Sequence, residues 1–82
     1  MKYLHLRTVE LIDLELKSIP EKYHKDFNSA HEGYAVLLEE VRELENEVFF
    51  GEKRNGENHK QRLREEAVQI AAMAARIIQE LT

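Results

Sequence analysis

The sequence predicts an all-α fold, with two long helices and one shorter helix in a single domain spanning residues 1–82. Three observations predict it. Apolar residues recur at steps of three and four along three separate stretches. Two polar pairs, Ser29 with Glu32 and Asn58 with Gln61, have capping-box spacing ahead of the second and third of those stretches. The breaker residues Pro20, Gly51 and the Asn55-Gly56 dipeptide fall between the stretches rather than inside them.

In the first stretch Val9, Ile12, Leu16 and Ile19 hold the helical period, and Leu4, Leu6, Leu11 and Leu14 widen the apolar face. This predicts a helix over about residues 3–18. Pro20 disfavours helical geometry at Ile19, so the chain leaves the helix there, and PEKYHKDFN reads as a connector with at most one short turn. The Ser29 and Glu32 pair starts a second helix at about Ala30. Its buried stripe is read as Tyr34, Leu37, Val41, Leu44 and Val48, and its end as Phe50, with Gly51 supplying a left-handed residue after the last turn. A turn at Asn55-Gly56 leads to a third helix from about His59 to Leu81, capped by Asn58 and striped by Leu63, Ala67, Ile70, Ala74, Ile77 and Leu81. Ala71, Ala72 and Ala75 keep its surface small enough for a close helix approach, and Met73 reads as core filler.

Size and composition bound the function. Eighty-two residues at 43% hydrophobic content form one small domain. A chain of this length buries only about 60% of the surface its unfolded form exposes, so the bundle is expected to be completed by oligomerisation, as a homodimer or homotetramer. The absence of cysteine removes disulfides and thiolate metal sites and makes the cytoplasm the expected compartment. No apolar run approaches the roughly 20 residues of a membrane span, and the amino terminus lacks a signal-peptide core. The net charge of −4 is segregated: residues 1–50 carry six basic and eleven acidic side chains, and residues 51–82 carry six and five. An acidic chain without a broad basic face is poorly suited to a nucleic-acid backbone.

The second helix holds most of the negative charge. Glu32, Val36, Glu39 or Glu40, Glu43 and Glu47 fall along one strip beside the apolar stripe, because steps of three and four return to nearly the same face. Repulsion along such a strip costs a few tenths of a kcal/mol per pair, and a bound divalent cation turns that cost into attraction. A solvated acidic face is the competing reading, which a second set of ligands would displace. Glu66 and Gln69 on the third helix repeat the i, i+3 spacing, with Met73 and Arg76 continuing the same edge. Two antiparallel helices could bring the pairs together as oxygen ligands for Mg²⁺, and the basic residues between Lys53 and Arg64 could then meet phosphate. HEGYA at His31 misses the zinc-protease pattern, since Ala35 stands where the second histidine is required. Tyr34 reads as a core aromatic.

Glu40-Val-Arg-Glu43, 22 intervening residues, and Glu66-Ala-Val-Gln69 resemble the Glu-x-x-Glu and Glu-x-x-Asp pair of the MazG-like all-α nucleoside triphosphate pyrophosphohydrolases. SAHEGYAVLLEEVREL with REEAVQIAAMAARII is most similar to the short members often encoded by phages and prophages, over about residues 27–80. The resemblance implies a helical dimer or tetramer that uses Mg²⁺ to release pyrophosphate from a nucleoside triphosphate. It implies Glu40, Glu43, Glu66 and Gln69 as metal ligands, with Gln69 standing where the family has Asp. From residue chemistry rather than the resemblance, Glu39 or Glu43 would orient or deprotonate the attacking water and the basic residues Lys60 and Arg64 would meet substrate phosphate; Arg76 reads either as a phosphate ligand or as a surface ion pair, and His31 either as a helix-start residue or as a substrate contact. The alternative is a catalytically degenerate relative that keeps the fold as a nucleotide-binding or helical interaction module, for which Gln69 is the motivating departure.

Overall fold

The computed structural model describes residues 2–19 and 25–82, and all regular structure among them is helical. Helix α1 runs Leu6–Lys17. It starts later than the expected residue 3 because His5 is extended, at φ −70° and ψ 147°, and offers no side-chain cap. It ends at Ser18, whose backbone N–H donates to Leu14 and Glu15 carbonyls and whose hydroxyl donates to the Glu15 carbonyl at 2.8 Å. Pro20 and residues 21–24, which hold most of the expected connector and His24, lie outside the described residues. Only part of the predicted face of α1 packs: Ile12 and Leu16, with Ile19 just beyond the helix, touch the core, while Leu4, Leu6, Val9 and Leu14 stay exposed.

Helix α2 spans Ala30–Asn46. The Ser29 hydroxyl accepts from the Glu32 N–H at 3.1 Å, as expected, but the Glu32 carboxylate closes the cap one residue earlier, accepting from the backbone and side-chain amides of Asn28 at 3.0 Å each. The expected end at Phe50 with a left-handed Gly51 is corrected. The chain passes through one π-helical turn, Glu47–Gly51, and continues into a short α3, Glu52–Asn55. Gly51 is right-handed, with φ −68°. The reversal falls at Gly56, whose φ of 54° is the only positive value among the described residues, and a 3₁₀ turn, Gly56–Asn58, leads into α4. Gly51 is needed for space rather than for handedness, since a Cβ there would fall on the Glu47 carboxylate.

Helix α4 spans His59–Leu81, the range the sequence predicts, although Asn58 makes no side-chain cap and Gln61 instead donates to Glu65 at 3.1 Å. It runs back along α2 in the opposite direction. Gly33, near the start of α2, lies against Ile77 and Leu81 near the end of α4, while Glu47 meets His59 at the other end. Phe27, Ala72 and Met73 form the buried centre, flanked by Ile12, Leu16, Ile19, Val36, Leu37, Ile77 and Leu81.

Each predicted stripe packs only in part: Leu37 of α2 and Ile77 and Leu81 of α4 lie against the core, and other members do not. Tyr34 and Val41 of α2 and Val48 of the following π turn are exposed, and Gly33 and Val36 join Leu37 on the core side. On α4, Ala67 is exposed, whereas Glu66, Ala72 and Met73 are buried. The reason is that α4 is flanked by α2 on one side and α1 on another, so its buried centre faces neither apolar arc alone. Among the described residues no helix is long and apolar enough to cross a membrane.

Candidate metal centre

The antiparallel crossing of α2 and α4 sets the middle of one helix against the middle of the other. Glu40 and Glu43 lie one turn apart on α2, and Glu66 and Gln69 lie one turn apart on α4. The structure brings all four together. One carboxylate oxygen from each of Glu40, Glu43 and Glu66 lies within 4.8 Å of the others. With its amide nitrogen turned toward the carboxylates, Gln69 donates to Glu40 Oε2 at 2.6 Å and to Glu66 Oε2 at 3.2 Å. Glu66 is buried, Glu40 half-buried and Glu43 exposed, so the group opens to solvent on the Glu43 side.

Three carboxylates this close resist full ionisation. Burial pushes the Glu40 carboxyl up to about 7, aided by the charge of Glu43, a hydrogen bond shared with it, and the charges of Glu66 and of Glu15 from α1. Glu66 is raised as well, by burial first and then by Glu43, against a lowering from Arg62. Glu15 was not foreseen from the sequence, because its approach depends on how α1 lies across α4, which no single-helix pattern encodes. The donor set consists of three anionic oxygens and one amide oxygen available on rotation of Gln69, with no sulfur or imidazole. That set fits a hard divalent ion such as Mg²⁺ rather than zinc or copper.

Beside this cluster the π turn builds a second polar group. Glu47 is buried, with a relative exposure of 7%. Its carboxylate accepts from Asn55 Nδ2 at 2.8 and 2.9 Å, lies 3.0 Å from His59 Nδ1, and has Arg62 Nε at 3.9 Å. The bond to His59, then those to Asn55, hold its carboxyl below the usual range. A cleft of about 360 Å³ opens between the two groups, lined by Glu43, Glu47, Glu66, Asn46, Arg54 and Arg62 among others. Sequence periodicity placed Glu47 on the glutamate strip but did not find its partners, which lie across a turn that periodicity does not describe.

The remaining predicted site residues lie elsewhere. Glu39 is exposed and outside the converging group. His31 is exposed in the first turn of α2, about 13 Å along the helix axis from Glu40. Lys60 lies on a face of α4 turned away from Arg62 and Glu66, and Arg64 lines a cavity against α1 with Leu11, Leu14 and Glu15 that reaches Gln69 at its other edge. Arg76 is committed to structure. It donates to Glu80 at 2.7 and 3.1 Å and to the Lys25 carbonyl at 3.1 Å, and it stacks 4.0 Å above the Phe27 ring. Glu80 in turn accepts from the Phe27 N–H at 2.8 Å, so the pair ties the segment before α2 to the end of α4. Tyr34, read as a core aromatic, is 61% exposed. No family model, curated protein or solved structure matches this chain.

Proposed function

We propose that this chain is a Mg²⁺-dependent nucleoside triphosphate pyrophosphohydrolase of the MazG-like kind, acting as a homo-oligomer. The observation that carries the reading is the convergence of Glu40, Glu43, Glu66 and Gln69, two i, i+3 pairs from helices of opposite direction, on one small volume. A divalent cation bound there would neutralise triphosphate charge and lower the pKa of a water. Glu40, Glu66 and Gln69 are the ligands closed in by the two helices. Glu43, the exposed member, faces both the cluster and the cleft and so stands where a water proton can be accepted. Hydrolysis between the α- and β-phosphoryl groups yields a nucleoside monophosphate and pyrophosphate.

Gln69 supports a second reading. Its amide satisfies two carboxylates without any cation, which suits a nucleotide-binding protein that does not hydrolyse. Titration with Mg²⁺, followed by heat and by thermal melting, tests the premise of the first reading. Glu43→Gln should weaken Mg²⁺ binding at least about tenfold, and Gln69→Asp should strengthen it, since affinity follows the ligand charge count. Equal affinity in all three proteins would place the cation elsewhere and remove the basis for the reading.

A further inference from the structure

We propose that the cleft between the carboxylate cluster and the π turn seats a polyphosphate, gripped by Arg54 and Arg62, and that Arg62 is the internal counter-ion of the cluster until a cation replaces it. The proposal deepens the reading above and rests on it for the cation. The cleft's volume of about 360 Å³ lies within the range of small-ligand sites, and Glu43 and Glu66 belong to both cleft and cluster. An anion seated there therefore abuts the cation position.

The contact distances decide which arginine is free to do this. Arg76 is held at 2.7 to 3.1 Å with 12% of its side chain exposed. Arg62 is half exposed and reaches Glu65, Glu66 and Glu47 only at 3.4, 3.5 and 3.9 Å. Those contacts are at or beyond the limit of a good hydrogen bond, so the guanidinium is attracted without being locked. Arg54 is exposed on α3, which the π turn carries to the rim of the cleft. Two guanidinium groups offer the planar forks that suit phosphate oxygens, and the amide of Asn46 adds a neutral donor.

Glu43, Glu47 and Glu66 outnumber the two arginines, so an anion alone is opposed by the cleft's charge. A cation at the cluster reverses that balance and releases Arg62 from Glu66. Cation and polyphosphate therefore bind with positive, reciprocal coupling. The two arginine substitutions differ in sign toward the cation: loss of Arg62 removes a positive charge 3.5 Å from Glu66 and should tighten the hold on Mg²⁺.

The test uses Mg²⁺ alone and inorganic triphosphate as probes, followed by titration calorimetry on the full chain, with Arg54→Gln, Arg62→Gln and a charge control on α1, Arg7→Gln. At saturating Mg²⁺, each cleft variant should bind triphosphate at least about tenfold more weakly, and Arg7→Gln should match the native chain. Arg62→Gln should bind Mg²⁺ alone more tightly. Unchanged triphosphate affinity in both cleft variants, with Mg²⁺ still bound, would overturn the cleft and leave the cation site standing. Loss of Mg²⁺ and triphosphate affinity together in Arg62→Gln would show a structural role and overturn its counter-ion role. Triphosphate binding that depends on Arg54 in a chain that binds no Mg²⁺ would support the cleft and overturn the cation reading.

Discussion

Glu40 is pulled between a proton, its carboxylate neighbours and the amide of Gln69, and that competition sets a pH dependence with a definite sign. Its carboxyl titrates at about 7 in the folded chain against an ordinary value of 4.5, so between those values the folded state holds more protons than the unfolded one. Stability from this group therefore falls as pH rises through that window. Glu66 is shifted in the same direction. Glu80, lowered first by Arg76, and Glu47, lowered first by His59, act oppositely: their contribution is present above about 4.5 and is lost as pH falls through their folded values. Thermal melts in a chelator should peak at about pH 5 and decline toward pH 8, and saturating Mg²⁺ should remove the decline, because cation and proton compete for the same oxygens. A melting temperature that holds level from pH 5 to 8 in chelator would contradict this. One-turn spacing puts each pair of the cluster on one face, but by itself it left Glu39 or Glu40 open and kept Glu32 and Glu47 on the same strip; the set of four came from the resemblance. Glu15 was not assigned to the site, and Arg54 and Arg62 were not singled out among the basic residues between Lys53 and Arg64, because their placement depends on helix crossing and on the path of a turn.

The turn is the element that separates the observed chain from the expected one. Periodicity located the starts of α2 and α4 and the end of α4, since Ser29 and the Asn55-Gly56 dipeptide are local signals. It misplaced the end of the second helical run because Gly51 has two possible uses, and only the return of Glu47 across it shows which applies. A π turn is often found at functional sites, and here it aims Glu47 at Asn55 and His59 while carrying Arg54 to the cleft. Alanine favours a helix over glycine by about 1 kcal/mol. Gly51→Ala should nevertheless destabilise the chain by about 1–3 kcal/mol, because the new Cβ displaces a buried carboxylate from its donors. Chemical denaturation measures this directly. A gain in stability would mean that Glu47 swings aside without loss and that the network around it is not structural.

At the scale of the whole molecule the surface is too large for the mass. The chain exposes 6651 Å², whereas a monomer of 9.7 kDa is expected to expose about 5,100 Å². The excess, about 1,500 Å², exceeds the roughly 800 Å² that each partner covers in a dimer of standard size. Part of it is an apolar groove between α1 and α4, of about 470 Å³, that includes Leu4, Val9, Ile12, Leu16, Ala75 and Ile78. We propose a second copy of the chain as its occupant, which would cover the exposed Leu4, Val9 and Ile78. Sedimentation at micromolar concentration should show a dimer of about 19 kDa or a larger assembly, and Ile78→Asp should shift it toward monomer. A native chain that sediments only at 9.7 kDa would contradict the proposal. Phosphorus NMR of a nucleoside triphosphate panel incubated with the chain and Mg²⁺ tests the proposed hydrolysis itself. Nucleoside monophosphate and pyrophosphate are expected from at least one member of the panel, with the reaction lost in Glu43→Gln. Release of orthophosphate and a nucleoside diphosphate, or no product from any nucleotide, would contradict it.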